Sequence, residues 1–548
     1  MLGRREVPAQ HGGHRARDDA GQRLVVELTV GLAARIRELS ANAPTQLGFD
    51  SRGRAWRGAV GAGRLGHRLQ SRLLMVRLGR VELVHWLELA NWCLVWWWVA
   101  IQSGVSMAEA EPGGDGGEAG LSQSSAYVVE GGSPLRGSIP ISGAKNAVLK
   151  LMAAAVLCEE PCTIANAPRI ADVETILEVL CDLGAEASWV GDHELRIHAR
   201  DLDWDFIPLE AAKRLRASFV LLGPMLGRRG KIIIPNPGGD RIGRRPVNVH
   251  VEALRALGAE IEYKWGYYYA RTPGGLRGTE LRLGEASVTG TENVLMSAVL
   301  ATGRTTIHNA AAEPEVDNLI DFLNAMGGCV RRDPKYRHTI VVEGVPRDGL
   351  HGARVEVIPD RIEAGSFAIA AAVTGGELLL EGAQADHLGA FFDALRQTGI
   401  EVACEPHGIR VGGRPPFREH RITTAIYPGF PTDLQAPFSL ALVEADGVST
   451  IKETLYEDRF DYAAALQRMG ANIHVFDAHT AVFYGPSQLH GSEVVIPDLR
   501  AGATLVLAAL AADGVSRILG TEHVVRGYED MVGKLSRVGA RITEEQVS

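Results

Sequence analysis

Lys145 and Asn146 lie where a protein could hold an anion. They follow Gly143 and Ala144 and open an apolar stretch that predicts a helix from Lys145 onward. The first N–H groups of a helix have no partner within it, and the helix dipole adds partial positive charge there. This segment is therefore expected to attract a phosphate or a carboxylate.

A second segment that could carry chemistry is GGDRIGRRP, at residues 238–246. Asp240 is followed closely by Arg241, Arg244 and Arg245. Nearby cations lower the pKa of a carboxyl group, and an anionic ligand bound beside that group would raise the pKa again. Asp240 could also be a loop carboxylate that simply pairs with Arg244.

The cysteines and histidines form no pattern typical of a metal site. The six cysteines include no C-x-x-C, and Cys158 and Cys162 are the only close pair. Two ligands are too few for a structural zinc ion. His250, His308 and His338 are scattered along the chain. We therefore expect no metal or other cofactor, and reduced thiols at the cysteine pair.

The elements that must position these residues belong to a unit that occurs six times. Each copy ends an amphipathic stretch with a glycine, and a short alternating segment typical of a β-strand follows. Glycine adopts the left-handed conformation that ends a helix without penalty. The six glycines, 69 to 74 residues apart, are Gly184, Gly258, Gly327, Gly399, Gly470 and Gly539.

Another helix is predicted roughly 30 residues before each of these glycines. Its copies are rich in Ala and Leu, as in AGATLVLAALAADG at residues 501–514. Such helices have no polar face wide enough for solvent and should be buried. Six buried helices with more exposed partners indicate an α/β protein in which sheets surround helices. Three units in each of two domains, with a cleft between them, is the expected packing.

The composition is that of a globular protein, with 46% apolar and 22% charged residues. It excludes a wholly disordered or collagen-like chain, and 548 residues suffice for about three domains or fewer. The net charge of −9 gives no reason to expect a nucleic-acid partner.

The first 106 residues differ from the rest of the chain. They contain 15 arginines, no lysine and six of the nine tryptophans. The uninterrupted apolar run 92–101 is shorter than the about 20 residues that a membrane helix needs. Met107 then opens an acidic leader rich in Gly and Ser. We interpret residues 1–126 as an atypical Arg/Trp-rich extension and flexible leader, with the start of the protein at Met107.

Nine motifs between Tyr127 and Ile542 resemble those of the enolpyruvyl transferases. One match would be weak evidence, but nine occur in order and at the family's spacing. They are ISGAKNA (141–147), RLRAS (214–218), PGGDRIGRRPVNVH (237–250), SVTGTENVLM (287–296), PDRIEAG (359–365), FPTDLQ (430–435), YEDRF (456–460), DLRAGA (498–503) and VVRGYED (524–530).

The resemblance implies a two-domain inverse α/β barrel built from six strand-helix-strand-helix-strand repeats. Domain I would comprise residues 127–144 plus 358–544, and domain II residues 145–357, with hinges near Lys145 and Ile358. The implied reaction moves the enolpyruvyl group of phosphoenolpyruvate to the 3′-hydroxyl of UDP-N-acetylglucosamine and releases phosphate. That is the first committed step of peptidoglycan synthesis, a cytoplasmic process, and the reaction needs no cofactor.

The resemblance also implies site residues. Arginine suits the two anions of phosphoenolpyruvate because its planar fork bonds each of them bidentately. The residues implied for phosphoenolpyruvate are Lys145, Asn146, Arg245, Arg459, Arg500 and Arg526. Those implied for UDP-N-acetylglucosamine are Arg216, Arg245, Pro246, Val247, Asn248, Val249, Ser287, Val288, Thr289, Asp433 and Leu455. The implied catalytic residues are Asp240, Asp433, Lys145, Arg526 and Asp498.

The resemblance implies that two carboxylates act as general base and general acid. Asp433 would take the proton of the sugar hydroxyl, and Asp240 would protonate C3 of phosphoenolpyruvate. The family more commonly has cysteine at position 240, the residue that the epoxide fosfomycin alkylates, so Asp240 predicts resistance to fosfomycin. Glu285 stands where the family often has lysine, which leaves one diphosphate contact in doubt.

Two other functions stay open. The chain could be a paralogous enolpyruvyl transferase that acts on another UDP-sugar or nucleoside, or a catalytically silent regulatory homologue. The shikimate-pathway enolpyruvyl transferase has LPGSKS and GNAGTA where this chain has ISGAKNA and RLRAS. These differences separate this chain from that relative. We expect small-molecule substrates, no nucleic-acid or membrane partner, and leave the oligomeric state open.

Overall fold

The computed structural model describes residues 125–214, 216–239 and 242–547. These residues belong to one compact unit, Gly117–Ser548. The extension and most of the leader expected at residues 1–126, including the start predicted at Met107, lie outside the described residues. So does the acid candidate Asp240. The first described strand begins at Ser125, two residues before the predicted start of the body.

The α-helices of the described residues number thirteen. They are α1 Lys145–Ala154, α2 Ala171–Asp182, α3 Leu209–Arg214, α4 Leu222–Arg229, α5 Asn248–Ala256, α6 Val288–Ala298, α7 Pro314–Ala325, α8 Arg361–Val373, α9 Gly389–Thr398, α10 Gln435–Val443, α11 Tyr462–Arg468, α12 Leu499–Ala511 and α13 Met531–Arg537. Short 3₁₀ turns occur at Ala155–Leu157, Arg216–Leu221, Arg347–Gly349, Ala385–His387, Thr432–Leu434 and Thr521–Arg526.

The strands of the described residues number twenty-four. They are β1 Ser125–Glu130, β2 Arg136–Pro140, β3 Cys162–Ala165, β4 Glu186–Gly191, β5 Glu194–His198, β6 Lys231–Pro235, β7 Glu260–Lys264, β8 Tyr267–Arg271, β9 Glu280–Arg282, β10 Arg304–His308, β11 Cys329–Arg332, β12 Thr339–Glu343, β13 Arg354–Glu356, β14 Glu377–Glu381, β15 Glu401–Glu405, β16 Gly408–Gly412, β17 Phe417–Arg418, β18 Arg421–Thr423, β19 Ala445–Lys452, β20 Ile473–Asp477, β21 Thr480–Gly485, β22 Glu493–Val495, β23 Val515–Leu519 and β24 Arg541–Gln546.

These strands form six small sheets, one for each predicted repeat. Their strand orders are β13-β3-β5-β4, β6-β8-β7, β11-β12-β10-β9, β15-β16-β14-β2, β17-β19-β21-β20 with β18 beside β19, and β22-β23-β1-β24. In the last sheet β1 lies between β23 and β24 and pairs antiparallel with both. The start of the described chain therefore completes the sixth repeat.

The helices divide into buried and half-exposed ones, as the repeats predict. Every residue of α10 is buried, and only the first residue of α8 is not. By contrast, α9 buries five of its ten residues and α13 three of seven. Sheets and half-exposed helices thus enclose apolar helices, which confirms the predicted fold class.

All six repeat glycines have positive φ angles, between +93° and +105°. This backbone conformation is costly for a residue with a Cβ atom. At Gly184 a Cβ would also lie 2.6 Å from a backbone carbonyl oxygen. The glycine repeat therefore marks the ends of the half-exposed helices, as predicted.

The apolar side chains form two separate cores. The first is built from residues between Ala144 and Val357. The second combines Tyr127–Ile141 with residues between Ile362 and Ile542. The chain crosses between them twice, and the crossings touch where the N–H of Ala144 donates to the carbonyl of Ile358 at 2.7 Å. The domain boundaries stay a prediction that this division into two cores supports.

Candidate functional site

Residues of both cores line two adjoining cavities. The larger has a volume of about 370 Å³ and the smaller about 130 Å³. Their shared lining makes them one cleft. The residues that line both are Asn146, Lys150, Arg216, Arg245, His250 and Thr289.

Asp172 links two of the predicted cations in the smaller cavity. Its Oδ2 lies 2.7 Å from Nζ of Lys145, and its Oδ1 accepts from Nε of Arg526 at 3.0 Å. Asp172 and Lys145 lie within the stretch of chain that builds the first core, whereas Arg526 lies within the later stretch that builds the second. Burial lowers the pKa of Lys145, and Arg500 and Arg526 add to that effect against the attraction of Asp172. The sequence motifs did not include Asp172.

The predicted anion site at the start of α1 is already occupied. The N–H of Lys145 donates to Oδ2 of Asp360 at 3.0 Å. The other oxygen of Asp360 caps α8 by accepting from the N–H groups of Ile362 and Glu363. A ligand anion would therefore meet the side chain of Lys145, and the first amide of the helix is not available to it.

Asp433 is held by two arginines at the larger cavity. One oxygen accepts from Nη2 of Arg459, and the other accepts from Nη2 of Arg500 at 3.1 Å. Burial alone would raise the pKa of Asp433, but Arg500 and Arg459 hold it well below its usual range. The same carboxylate raises the pKa of Arg500 against the effect of its burial. In the free protein Asp433 is thus an ionised carboxylate of low basicity at neutral pH.

Asp498 acts on the site through its helix. It caps α12, where its Oδ1 accepts from the N–H of Arg500 at 2.8 Å and from that of Ala501 at 3.1 Å. The Arg500 guanidinium then stands 5.5 Å from the ring of Tyr528. Asp498 lines neither cavity. Although the resemblance implies a catalytic role, this position fits a residue that orients Arg500 from outside the cleft.

Tyr456 brings together arginines from distant parts of the chain. The guanidinium of Arg245 lies 5.9 Å from its ring, and that of Arg459 lies 5.5 Å from it. Nη2 of Arg216 donates to the carbonyl of Arg245. Burial, with the charge of Arg245, lowers the pKa of Arg216 to about 10. This arrangement concentrates positive charge at the junction of the two cavities.

The described residues on either side of positions 240 and 241 line the cleft. Gly239 lines the smaller cavity and Ile242 the larger. Beyond Ile242, the N–H of Arg244 donates to Oε2 of Glu457 at 3.0 Å. A Cβ at Gly243 would lie 2.4 Å from that same oxygen, so only glycine fits there. The loop is fastened to the segment that presents Tyr456.

The residues expected for the nucleotide occupy one end of the larger cavity, with exceptions. Ser287 caps α6, and its Oγ accepts from the N–H of Gly290 at 3.1 Å. Pro246, Ser287, Val288, Thr289 and Leu455 line the larger cavity, and Val247 lines the smaller. Val249 is buried in the first core instead, and Asn248 is exposed at the start of α5.

A buried charge network beside the larger cavity contains no residue that the sequence predicted for the site. Lys150 lies 3.5 Å from Glu292, and Nε of Arg361 donates to Glu315 at 2.9 Å. Burial raises the pKa of Glu292 to about 8, against the attraction of Lys150. These four residues are spread over four helices, so no local spacing could have signalled them.

His250 is structural, as expected. Its ring nitrogens lie 2.8 Å from Nδ2 of Asn293 and 3.2 Å from Oγ1 of Thr289. Burial, with the charge of Arg216, lowers its pKa to about 3. Among residues 125–547, apart from the gaps at 215 and 240–241, no group of His, Cys, Asp or Glu could hold a metal ion. No helix in that same part of the chain has the length and apolar character to span a membrane.

The family model of EPSP synthase (3-phosphoshikimate 1-carboxyvinyltransferase) matches residues 129–535. The chain is 45% identical over 417 residues to a UDP-N-acetylglucosamine 1-carboxyvinyltransferase of Ruegeria pomeroyi, a match that covers 76% of this chain and 98% of the relative. It is 45% identical over 421 residues to the protein of that name from Zymomonas mobilis, with the same coverage.

Solved structures of similar proteins share the fold. The enolpyruvyl transferase NikO from Streptomyces tendae superposes with a TM-score of 0.70 at 25% identity, covering 78% of this chain and all of that one. An EPSP synthase from Acinetobacter baumannii superposes with a TM-score of 0.61 at 19% identity, covering 77% and 100%.

Proposed function

Because this chain belongs to the enolpyruvyl transferase family, in the branch of the UDP-N-acetylglucosamine 1-carboxyvinyltransferases, we propose the following reaction at its cleft. The enolpyruvyl group of phosphoenolpyruvate moves to the 3′-hydroxyl of UDP-N-acetylglucosamine, and phosphate is released. The observation that carries the proposal is a cluster of three interacting cations, Lys145, Arg500 and Arg526. Arg500 links this cluster to the ionised carboxylate of Asp433.

The cations would bind and polarise phosphoenolpyruvate. Its carboxylate and phosphate carry up to three negative charges, and Lys145, Arg245 and Arg526 lie at the smaller cavity to receive them. Fixed cations in a partly buried cleft stabilise the charge that develops on the departing phosphate. Asn146 lies beside them in both cavities. Arg459 and Arg500 would hold the second anion from the side of Asp433.

Asp433 would be the base that takes the proton of the sugar hydroxyl. In the free protein Arg459 and Arg500 suppress its basicity. The anions of phosphoenolpyruvate compete for the same guanidinium groups and bring negative charge near Asp433, and both effects raise its pKa. Asp433 therefore becomes an effective base once both substrates are bound.

Asp240 would supply the proton to C3 of phosphoenolpyruvate. Its described neighbours Gly239 and Ile242 line the two cavities, which supports a place for Asp240 beside the cleft. The bound anion would raise its pKa in the same way, so acid competence is expected in the ternary complex.

The two cores would move as domains. Across the cleft, Arg526 forms an ion pair with Asp172, and the backbone N–H of Arg244 donates to Glu457. We propose that residues 127–144 plus 358–544 close on residues 145–357 and exclude water from the reacting atoms. Both substrates are charged and do not cross a lipid bilayer unaided, so the reaction is placed in the cytoplasm.

The test is phosphate release by the full chain. Phosphate should appear from phosphoenolpyruvate only when UDP-N-acetylglucosamine is present, with the enolpyruvyl ether seen by mass spectrometry. Release with another UDP-sugar alone would identify the paralogue, and no release with any of them would favour the silent homologue. Release without a sugar would mean hydrolysis and contradict the transfer.

A further inference from the structure

Most cations at the larger cavity have partners. Arg361 pairs with Glu315, Arg459 with Asp433, and Nη2 of Arg216 donates to a backbone carbonyl. Nζ of Lys150 donates to the carbonyl of Asn146 at 2.5 Å. A ligand that binds to one of these side chains must therefore share it with a partner that it already has.

Arg244 differs from them. It lines the same cavity and is exposed, and no hydrogen bond or ion pair of its guanidinium occurs among the described residues. Its backbone is nevertheless fixed, because its N–H donates to Glu457. A fixed backbone that carries a guanidinium without a partner among the described residues is prepared to bind a ligand at low entropic cost.

Glu285 makes such a cation necessary. It lines the same cavity, is exposed, and has no ion-pair partner within the described part of the chain. A nucleotide diphosphate that binds at Pro246 and Ser287 places about two negative charges in a cavity that already holds this carboxylate. Like charges in one cleft weaken binding unless a cation offsets them.

We propose that Arg244 binds the diphosphate of the nucleotide-sugar substrate and compensates for Glu285. This inference rests on the proposed function and names a binding residue that the motifs did not assign. The planar guanidinium presents two parallel N–H donors to two phosphate oxygens, a fixed bidentate geometry that an ammonium group lacks.

The first test is binding without phosphoenolpyruvate, measured by calorimetry on the full chain. Arg244→Gln should weaken UDP-N-acetylglucosamine and UDP about tenfold, the scale of one charge-assisted contact. The affinity for uridine, measured by its competition with UDP, should stay unchanged because uridine has no phosphate. The KM for phosphoenolpyruvate should stay within about twofold. Arg229→Gln, an exposed arginine outside both cavities, is the control and should change none of these values.

The second test is a charge swap. Glu285→Lys should tighten UDP binding, and Arg244→Gln combined with Glu285→Lys should restore the wild-type affinity to within about threefold. Arg244→Lys should recover part of the loss.

Several outcomes would overturn the inference. Unchanged UDP affinity in Arg244→Gln, an equal loss for uridine, or a double variant as weak as the single one would each do so. If the wild-type chain transfers enolpyruvyl and Arg244→Gln binds normally, only this inference is wrong. If the wild-type chain binds no UDP-sugar, the proposed function fails and this inference fails with it.

Discussion

Replacing Asp433 by asparagine perturbs both the base and its two arginines. The carboxylate gives one oxygen to Arg459 and the other to Arg500. Asparagine has a single acceptor oxygen, and its NH₂ group would face one of the guanidinium groups. The variant therefore loses at least one charge-assisted hydrogen bond and leaves a buried arginine without its counter-charge.

The size of the effect follows from this geometry. A hydrogen bond to a charged group contributes about 1.5–3 kcal/mol, and breaking a buried ion pair costs about 3–5 kcal/mol. One quarter of the Asp433 side chain is exposed, so solvent reduces the loss. We expect the free energy of unfolding at pH 7 to fall by about 2–3 kcal/mol and turnover to fall by about 10²-fold or more.

The pH dependence gives an independent measure. Because the folded pKa of Asp433 is depressed, its ionisation stabilises the fold above the unfolded pKa of about 3.9. That contribution is lost as the pH falls through the folded pKa. The stability difference between wild type and Asp433→Asn should therefore be present at neutral pH and shrink in strong acid.

The assay combines denaturant unfolding at neutral and acid pH with phosphate release. Asp393→Asn, which removes one partner of the exposed pair with Arg396, is the control. It should cost less than about 1 kcal/mol and leave turnover unchanged. Turnover of Asp433→Asn within about threefold of wild type would remove Asp433 from the base role.

Asp172→Asn should raise the KM for phosphoenolpyruvate about tenfold or more, since Lys145 and Arg526 lose the carboxylate that holds them. Asp182→Asn, an exposed position on the same helix, is the control. An equal change in KM for the two variants would contradict the anchoring role of Asp172. Activity should survive preincubation with fosfomycin and the UDP-sugar, because a carboxylate is a poor nucleophile for an epoxide. Asp240→Cys should stay active and become inactivated with time; a fosfomycin adduct on the natural chain, seen by mass spectrometry, would refute this. Gly184→Ala should destabilise the fold more than Gly399→Ala, because only an alanine at 184 clashes with a backbone carbonyl. Gly399→Ala should cost about 1 kcal/mol, the cost of the left-handed backbone alone. Equal losses of stability in thermal unfolding would contradict this prediction.

The fold was predictable because its signals are local and repeated. Each repeat carries a glycine with a left-handed backbone and an apolar helix with no polar face. Both requirements act within a few residues, so the sequence shows them directly. The relatives and the sheet arrangement confirm the family and the six-repeat architecture.

The links among site residues were less predictable because they depend on long-range contacts. Asp172 is one carboxylate in an amphipathic helix, yet it joins Lys145 to Arg526. Asp360 is likewise far in sequence from the α1 amide that it occupies. A single sequence indicates which residues are cationic, but it does not indicate which carboxylate will hold them.

The placement of β1 in the last sheet affects the order in which the two cores can fold during translation. Residues of the first core leave the ribosome as one continuous segment, whereas β1 pairs Ser125 with Gln546, near the end of the chain. The strand edges of β1 must stay unpaired until β23 and β24 are synthesised, and such edges invite aggregation. The first core can therefore fold during translation, while the second is completed only after the last strand is released. A chain cut before β23 should keep the first core and lose the second.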